Sequence, residues 1–186
     1  MSRPLIGLLT GPIGAGKTTV AERVAGLARE QGLACGGLLA PALKDGLGTK
    51  IGIWGVDLHT EERRILARID REMGGPRVGA YSFNAATLSW AVDAIGSAMG
   101  RCDLLIVDEI GKLELWSNAG LAPLLPRLAL GAAARSLVLV RQALLAELQT
   151  RLGQVERIVF EVSQDNREQL PPQVVAHLFS DREFDN

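Results

Sequence analysis

The stretch Leu8–Ala28 reads "LLTGPIGAGKTTVAERVAGLA". Within it, Gly11, four further residues, Gly16, Lys17 and Thr18 make a phosphate-binding loop pattern. It lies between a strand-like run and a helix-like one, as that pattern requires. Glycines let successive backbone N–H groups converge on an anion. The helix that follows adds unpaired N–H groups and the positive end of its dipole. Gly11, Pro12, Ile13, Gly14, Ala15, Gly16, Lys17, Thr18 and Thr19 are therefore the candidate nucleotide-binding residues. Lys17 is suited to reach the β- and γ-phosphates, the Thr18 hydroxyl to ligate Mg²⁺, and Thr19 to make a further phosphate contact. The competing reading is a glycine-rich turn without a ligand, which leaves the conformational cost of the glycines unanswered.

A second set of residues answers the loop. "LLIVDE" places Asp108 and Glu109 after four apolar residues, the Walker B pattern. At the carboxyl end of a parallel strand Asp108 would face the loop's crevice and hold Mg²⁺ directly or through a water. Glu109 is a candidate catalytic base, able to orient and deprotonate a water in line with the γ-phosphate; otherwise it is a solvated charge at a strand end. Lys112 follows, as a phosphate contact or the partner of an acidic neighbour. Glu114 is expected to support the site rather than react.

The elements that would position these residues alternate. Residues 4–10 read as a buried strand, 17–31 as a helix with Val20, Val24, Leu27 and Ala28 on one face, and 33–43 as a second strand, which makes a βαβ unit with a parallel sheet. Residues 44–83 read as an antiparallel hairpin excursion at the sheet edge, with strands in "IGIWGVDL" and "RRILARI" joined near "HTEE". Phe83–Met99 is expected to be a helix capped by Asn84, 102–109 a central strand, 118–130 helical with breaks at Pro123 and Pro126, and 136–141 a strand leading into a helix through Leu152. A last strand over 157–163 and a helix begun by Pro171 and Pro172 close the pattern. The expected domain is 1–180, with a tail over 181–186.

Composition narrows the class. The chain has 186 residues, 47% of them hydrophobic, and a net charge of −1. That suits a globular core and gives no broad basic field, so nucleic acid is not indicated as a partner. Four lysines stand against sixteen arginines, and Lys17 and Lys112 are two of the four. Cys35 and Cys102 match no metal spacing and read as buried free thiols in a reducing, cytoplasmic setting. The apolar run in "MSRPLIGLLTG" leads straight into the glycine loop and reads as a strand rather than a signal peptide. No run of 18 apolar residues occurs, so no membrane span or membrane partner is expected. Trp54, Trp90 and Trp116 are expected in packing, and His59 and His177 have no ligand spacing.

"DEIGKLELWS" (108–117) resembles the signature block of the small P-loop nucleoside-triphosphatases of the thermophile and human cancer-related type. "GPIGAGKTT", "CGGLLAP", "KIGIWGVDL", "VGAYSFNAATLSWA" and "VSQDNREQLP" follow that family's order of blocks over about residues 5–172. The resemblance implies a three-layer α/β P-loop NTPase sandwich with a mainly parallel central sheet and an antiparallel hairpin insertion. It also implies Mg²⁺-dependent hydrolysis of nucleoside triphosphates, ATP, GTP or others, to diphosphate and phosphate, slowly and with broad base tolerance. By position the loop residues carry phosphate binding, and Asp108 and Glu109 are the metal and water residues. Asn166 and Arg167 fall in the closing block. They either border the base or ribose or form a helix cap and a surface arginine. The chain departs from the family at "LVLVRQALLAEL", where strand runs into helix with almost no loop. Arg141 lands there, as an arginine finger, a product sensor or a surface ion pair.

Two other classes share these residues. A nucleotide, small-molecule or polynucleotide kinase would need an acceptor pocket and a lid, for which Arg63, Arg64, Arg68, Arg71 and Arg77 are available. A nucleotide-dependent switch would turn over only with a protein partner, which the sequence does not identify. No Asn-Lys-x-Asp signature of a dedicated guanine reader is present.

Overall fold

The computed structural model describes residues 3–181. Residues 182–186 of the expected tail, and the first two residues, lie outside them. The chain runs β1 (Leu5–Thr10), α1 (Lys17–Glu30), β2 (Cys35–Leu39), β3 (Ala42–Lys44), β4 (Lys50–Asp57), β5 (Arg63–Arg68), β6 (Gly74–Val78), β7 (Tyr81–Asn84) and α2 (Ala85–Ala98). It continues through β8 (Leu104–Ile110), α3 (Lys112–Leu115), α4 (Leu125–Ala129), β9 (Arg135–Val140), α5 (Leu145–Leu152), β10 (Glu156–Glu161) and α6 (Leu170–Leu178). All ten strands belong to one sheet, in the order β10-β1-β9-β8-β2-β4-β5-β7-β6, with β3 paired to β4.

The parallel part runs β10-β1-β9-β8-β2; its inner strands are buried and mostly apolar on both faces because helices cover both, while the edge strand β10 is largely exposed. Side chains alternate along β8. Leu104 and Ile106 join Val20, Val24 and Ala28 of α1 and Val174 of α6. Leu105 and Val107 join Ala91 and Ile95 of α2 and Leu148 and Leu152 of α5. All of these are fully buried, and each large one contributes about 1.5–3 kcal/mol by leaving water. The result is the expected three-layer α/β sandwich, and it fixes the carboxyl ends of β1, β8 and β9 side by side at one edge. The spacing of Val20, Val24 and Ala28 sets α1 against the sheet, and Asn84 caps α2 by accepting from the Thr87 N–H at 2.8 Å, a cap worth about 1 kcal/mol.

The structure differs from the sequence reading mainly beyond β2. The run expected as one strand over 33–43 divides, β2 joining the parallel sheet and β3 pairing antiparallel with β4. The hairpin excursion is a five-strand antiparallel wing, joined to the sheet through the β2–β4 pair. Phe83 belongs to β7 rather than to the helix. Residues 118–130 hold only a 3₁₀ turn at Ala122–Leu124 and the short α4, because each proline permits a helix start and not a helix interior. Trp116, expected in packing, is 60% exposed. Cys102 is half-buried, and burial pushes its thiol up to about 11; Cys35 is fully buried and both are free. Among the described residues no helix is long and apolar enough to cross a membrane.

Candidate active site

The loop between β1 and α1 takes its shape from its glycines. Gly11 has φ 147°, and a Cβ there would stand 2.4 Å from the Val162 carbonyl oxygen, so the backbone approaches closer than any side chain permits. Gly16, at φ 100°, is the N-cap of α1 and supplies no side chain to cap it, which leaves first-turn N–H groups for an anion. Pro12, Ile13 and Gly14 are exposed, as is Thr19, while Ala15 is buried. Lys17 is buried and folds back over the loop, its Nζ donating to the Gly11 and Pro12 carbonyls at 3.0 Å each. Burial lowers its pKa; the Glu109 and Asp108 carboxylates raise it, and Arg141 lowers it further. These four ionisable groups thus lie within electrostatic reach of one another.

Asp108 is 3% exposed. It accepts the Ala40 N–H at 3.0 Å, and the Thr18 hydroxyl beside it favours its charged form. The main-chain contact comes from the β2–β3 connection, so the strand that carries the carboxylate and the strand beside it set its position together. Glu109 comes next, joined to Asp108 by a cis peptide bond, where the β8–β9 register shifts between Val107 and Ile110. Its Oε1 accepts from Arg141 Nε at 2.7 Å. Arg141, at the end of β9, is therefore an ion-pair partner of Glu109, facing the same crevice as Thr18 and Asp108.

The remaining candidates divide. Lys112 lines the crevice with its Nζ 4.8 Å from the Trp116 ring centroid, and Trp116 donates to Glu147 at 2.8 Å. Glu114, 5% exposed, spends both oxygens on the backbone, accepting from the Gly111 N–H at 2.8 Å and the Leu121 N–H at 3.2 Å. Asn166 spends its side chain within its own turn, accepting from the Ser163 N–H and donating to the Glu161 carbonyl. Arg167 lies over the loop, its Cδ 3.4 Å from where a Gly16 Cβ would stand. Arg63, Arg64, Arg68, Arg71 and Arg77 do not line the crevice. Arg64 pairs with Glu62, Arg68 with Asp70 and Arg77 with Glu72, so these three serve as ion pairs within the wing.

Hydroxyl and carboxylate oxygens from Thr18, Asp108 and Glu109 are hard donors, which suit Mg²⁺. Among the described residues no group of three His, Cys, Asp or Glu forms a cation cage. The donor set therefore fits an ion that keeps waters and takes phosphate oxygens as its other ligands.

Burial raises the Asp108 pKa from 3.8 to about 6, opposed by the Ala40 N–H and the Thr18 hydroxyl and reinforced by the Glu109 charge. Between those values the folded chain holds a proton that the unfolded chain has released. Its stability is therefore greatest below the unfolded pKa and falls as pH rises through about 6. Asp108→Asn is accordingly expected to stabilise the metal-free protein, by about 1–3 kcal/mol, and to do so more at pH 8 than at pH 5. Thermal unfolding at the two pH values checks both the sign and the pH dependence.

Beside Thr18, Asp108, Glu109 and Arg141 the crevice opens into a cavity of about 350 Å³, walled by the wing and the first turn of α2 and α3. These walls are not legible in the sequence. They come from six elements far apart in the chain, and no local pattern marks them.

The chain matches the profile of a family described as NTPase over residues 7–175. It is 35% identical to the nucleoside-triphosphatase THEP1 of Methanopyrus kandleri over 175 residues, 92% of this chain and 93% of that one. It is 31% identical to the nucleoside-triphosphatase THEP1 of Thermofilum pendens over 174 residues, 93% and 94% of the two chains. The crystal structure of THEP1 from Aquifex aeolicus superposes with a TM-score of 0.73 at 20% identity, covering 93% of this chain and 98% of that one, and so shares its fold.

Proposed function

The chain belongs to the NTPase family, and on that premise we propose that it hydrolyses nucleoside triphosphates to diphosphate and phosphate, with Mg²⁺ as its cation and little discrimination among bases. It is an enzyme of the nucleoside-triphosphatase class. The observation that carries the assignment of roles is a juxtaposition. The buried Asp108 carboxyl beside Thr18, the Glu109 carboxylate held by Arg141 and the Lys17 ammonium all stand at one end of the same loop.

The loop N–H groups from Gly11 to Thr19 receive the phosphates. Lys17 leaves the Gly11 and Pro12 carbonyls for the β- and γ-phosphate oxygens, a shift of a buried ammonium from two neutral acceptors to charged ones. Thr18 and Asp108 would hold the Mg²⁺, which would supply charge neutralisation on the phosphates. Glu109 orients a water against the γ-phosphorus and takes its proton. Arg141 fixes the Glu109 carboxylate and stands near the developing phosphate charge. Arg167, over the loop, and Lys112, at the crevice, add positive charge on either side. Asn166 has its amide committed to its own turn, so its role is to shape that turn beside the loop. Two free thiols support a reducing, cytoplasmic setting.

Phosphate release from ATP, GTP, CTP and UTP, each with Mg²⁺ and with a chelator, tests this reading. Release from all four, lost with the chelator, is expected. Release from one base alone would refute the base tolerance, release undiminished by chelation would refute the metal, and no release from any would leave a nucleotide-dependent switch as the better account.

A further inference from the structure

The cavity beside Glu109 is far larger than hydrolysis requires. An attacking water needs a share of volume of about 30 Å³, whereas the space here is about 350 Å³. Its walls are not incidental. Ile53, Leu66, Val78, Phe83, Leu88 and Leu113 all line it, and the same six side chains form the third hydrophobic cluster of the molecule, completed by Ala119. A protein interior is ordinarily filled to crystal-like density. Here the apolar side chains of β4, β5, β6, β7, α2 and α3 converge and leave room for a small molecule.

The position of the cavity separates it from the triphosphate. Of the loop residues Gly11–Thr19 only Thr18 lines it. The turn after β10 borders the loop elsewhere, at Gly11 through Val162 and at Gly16 through Arg167, and contributes nothing to the cavity. The polar lining consists of Thr18, Asp108, Glu109, Glu114 and Arg141 with the cations Lys50 and Lys112. Lys50 Nζ sits 5.4 Å from the centroid of the Tyr81 ring, which also lines the space. Apolar walls with a few convergent polar groups are the usual composition of a small-molecule site. Apolar walls and Tyr81 suit a ring, the two ammonium groups suit an anionic substituent, and Glu109 suits a hydroxyl.

We propose that this cavity binds a small ring-bearing alcohol carrying an anionic group, and that the alcohol is a phosphoryl acceptor, with water taking its place when the cavity holds only solvent. The inference rests on the reading of the glycine loop as the triphosphate site. In the transfer, the acceptor oxygen forms a bond to the γ-phosphorus as the bond from that phosphorus to the β–γ bridging oxygen breaks. The hydroxyl proton passes to the Glu109 carboxylate, and the electron pair of the broken bond leaves on the diphosphate. No other reactant is needed.

The test uses 4-(hydroxymethyl)benzoate, benzyl alcohol and thymidine 5′-monophosphate as probes. Each is added to the full chain with ATP and Mg²⁺, and products are read by ³¹P NMR. Saturation-transfer NMR without ATP reads binding independently. The anionic probes are expected to show saturation transfer that is lost in Leu66→Trp and Val78→Trp, two variants that fill the cavity from different strands, each checked for folding by its thermal transition. At least one anionic probe is expected to give a phosphomonoester, with free phosphate falling by the amount formed. No binding by any probe, binding that persists in both filled variants, or binding without a phosphomonoester would each overturn the proposal. Phosphate release in the tubes without probe reports separately on the triphosphatase reading, so the two can fail independently.

Discussion

Lys17→Ala is expected to lose tight triphosphate binding and turnover together, each by about 10²-fold or more. Lys17 Nζ is held at 3.0 Å by two loop carbonyls, Gly11 and Pro12, and burial already depresses its pKa. The ammonium is therefore partly desolvated before any phosphate arrives, and little further desolvation opposes its transfer to the β- and γ-phosphate oxygens. Two charge-assisted bonds there are worth about 3–6 kcal/mol together, and they strengthen as charge moves onto the bridging oxygen, so both the ground state and the transition state suffer. The alanine variant should nevertheless fold, because the ammonium's hydrogen bonds go only to carbonyls of a loop whose shape is set by Gly11 and Gly16. Calorimetry with a non-hydrolysable triphosphate and Mg²⁺, phosphate release and a thermal transition check the three parts. Unchanged affinity in a folded variant would remove Lys17 from the phosphate site.

Much of this arrangement is legible in the sequence because it is local. The glycine loop is a run of nine residues whose chemistry does not depend on distant contacts, and the apolar strands beside it declare themselves by length and composition. The alternation of strand and helix then places Asp108 on the edge where the loop lies. The wing is harder to read. β6 is "GGPRV", with two glycines and a proline and a register shift against β7, so it has no clean two-residue alternation and gives no strand signal. β3 has three residues, too few to separate from the strand before it. The site's remaining features are contacts between remote parts of the chain. The Ala40 N–H reaches Asp108 across 68 positions and Arg141 reaches Glu109 across 32. Composition admits such pairs without selecting them. The sequence leaves Arg141 three readings; the structure pairs it with Glu109 because β8 and β9 are neighbours with their carboxyl ends aligned. The cavity walls are of the same kind: six ordinary apolar residues that acquire meaning only when the wing folds over α2 and α3.

The arrangement also explains why the parallel and antiparallel halves of the sheet are joined. The parallel half brings the loop, Asp108, Glu109 and Arg141 together at the carboxyl ends of its strands. The wing adds no residue to the phosphate loop. It supplies Lys50, Tyr81 and most of the apolar wall opposite Glu109, so what it changes is the space beside that carboxylate.

Glu109→Gln is the change that separates holding the triphosphate from splitting it. The amide keeps the size of the carboxylate, and its oxygen can still accept the Arg141 Nε–H that Glu109 Oε1 accepts at 2.7 Å. It cannot take a proton from water. Turnover is therefore expected to fall by about 10²-fold or more, the scale of a lost general base, while triphosphate affinity is retained. The electrostatics favour retention. Removing the Glu109 charge takes away the largest influence that raises the Lys17 pKa, a small loss for phosphate binding. It also takes away the anion that neutralises Arg141, which leaves that guanidinium free to favour a polyanion. The two changes oppose each other, so the dissociation constant should stay near that of the unmutated enzyme. Calorimetry for binding and single-turnover phosphate release for chemistry separate these effects. Hydrolysis at the unmutated rate would show that Glu109 is not the base. A parallel loss of affinity would show instead that the carboxylate belongs to the binding of the metal-bound triphosphate, with Asp108 and Thr18.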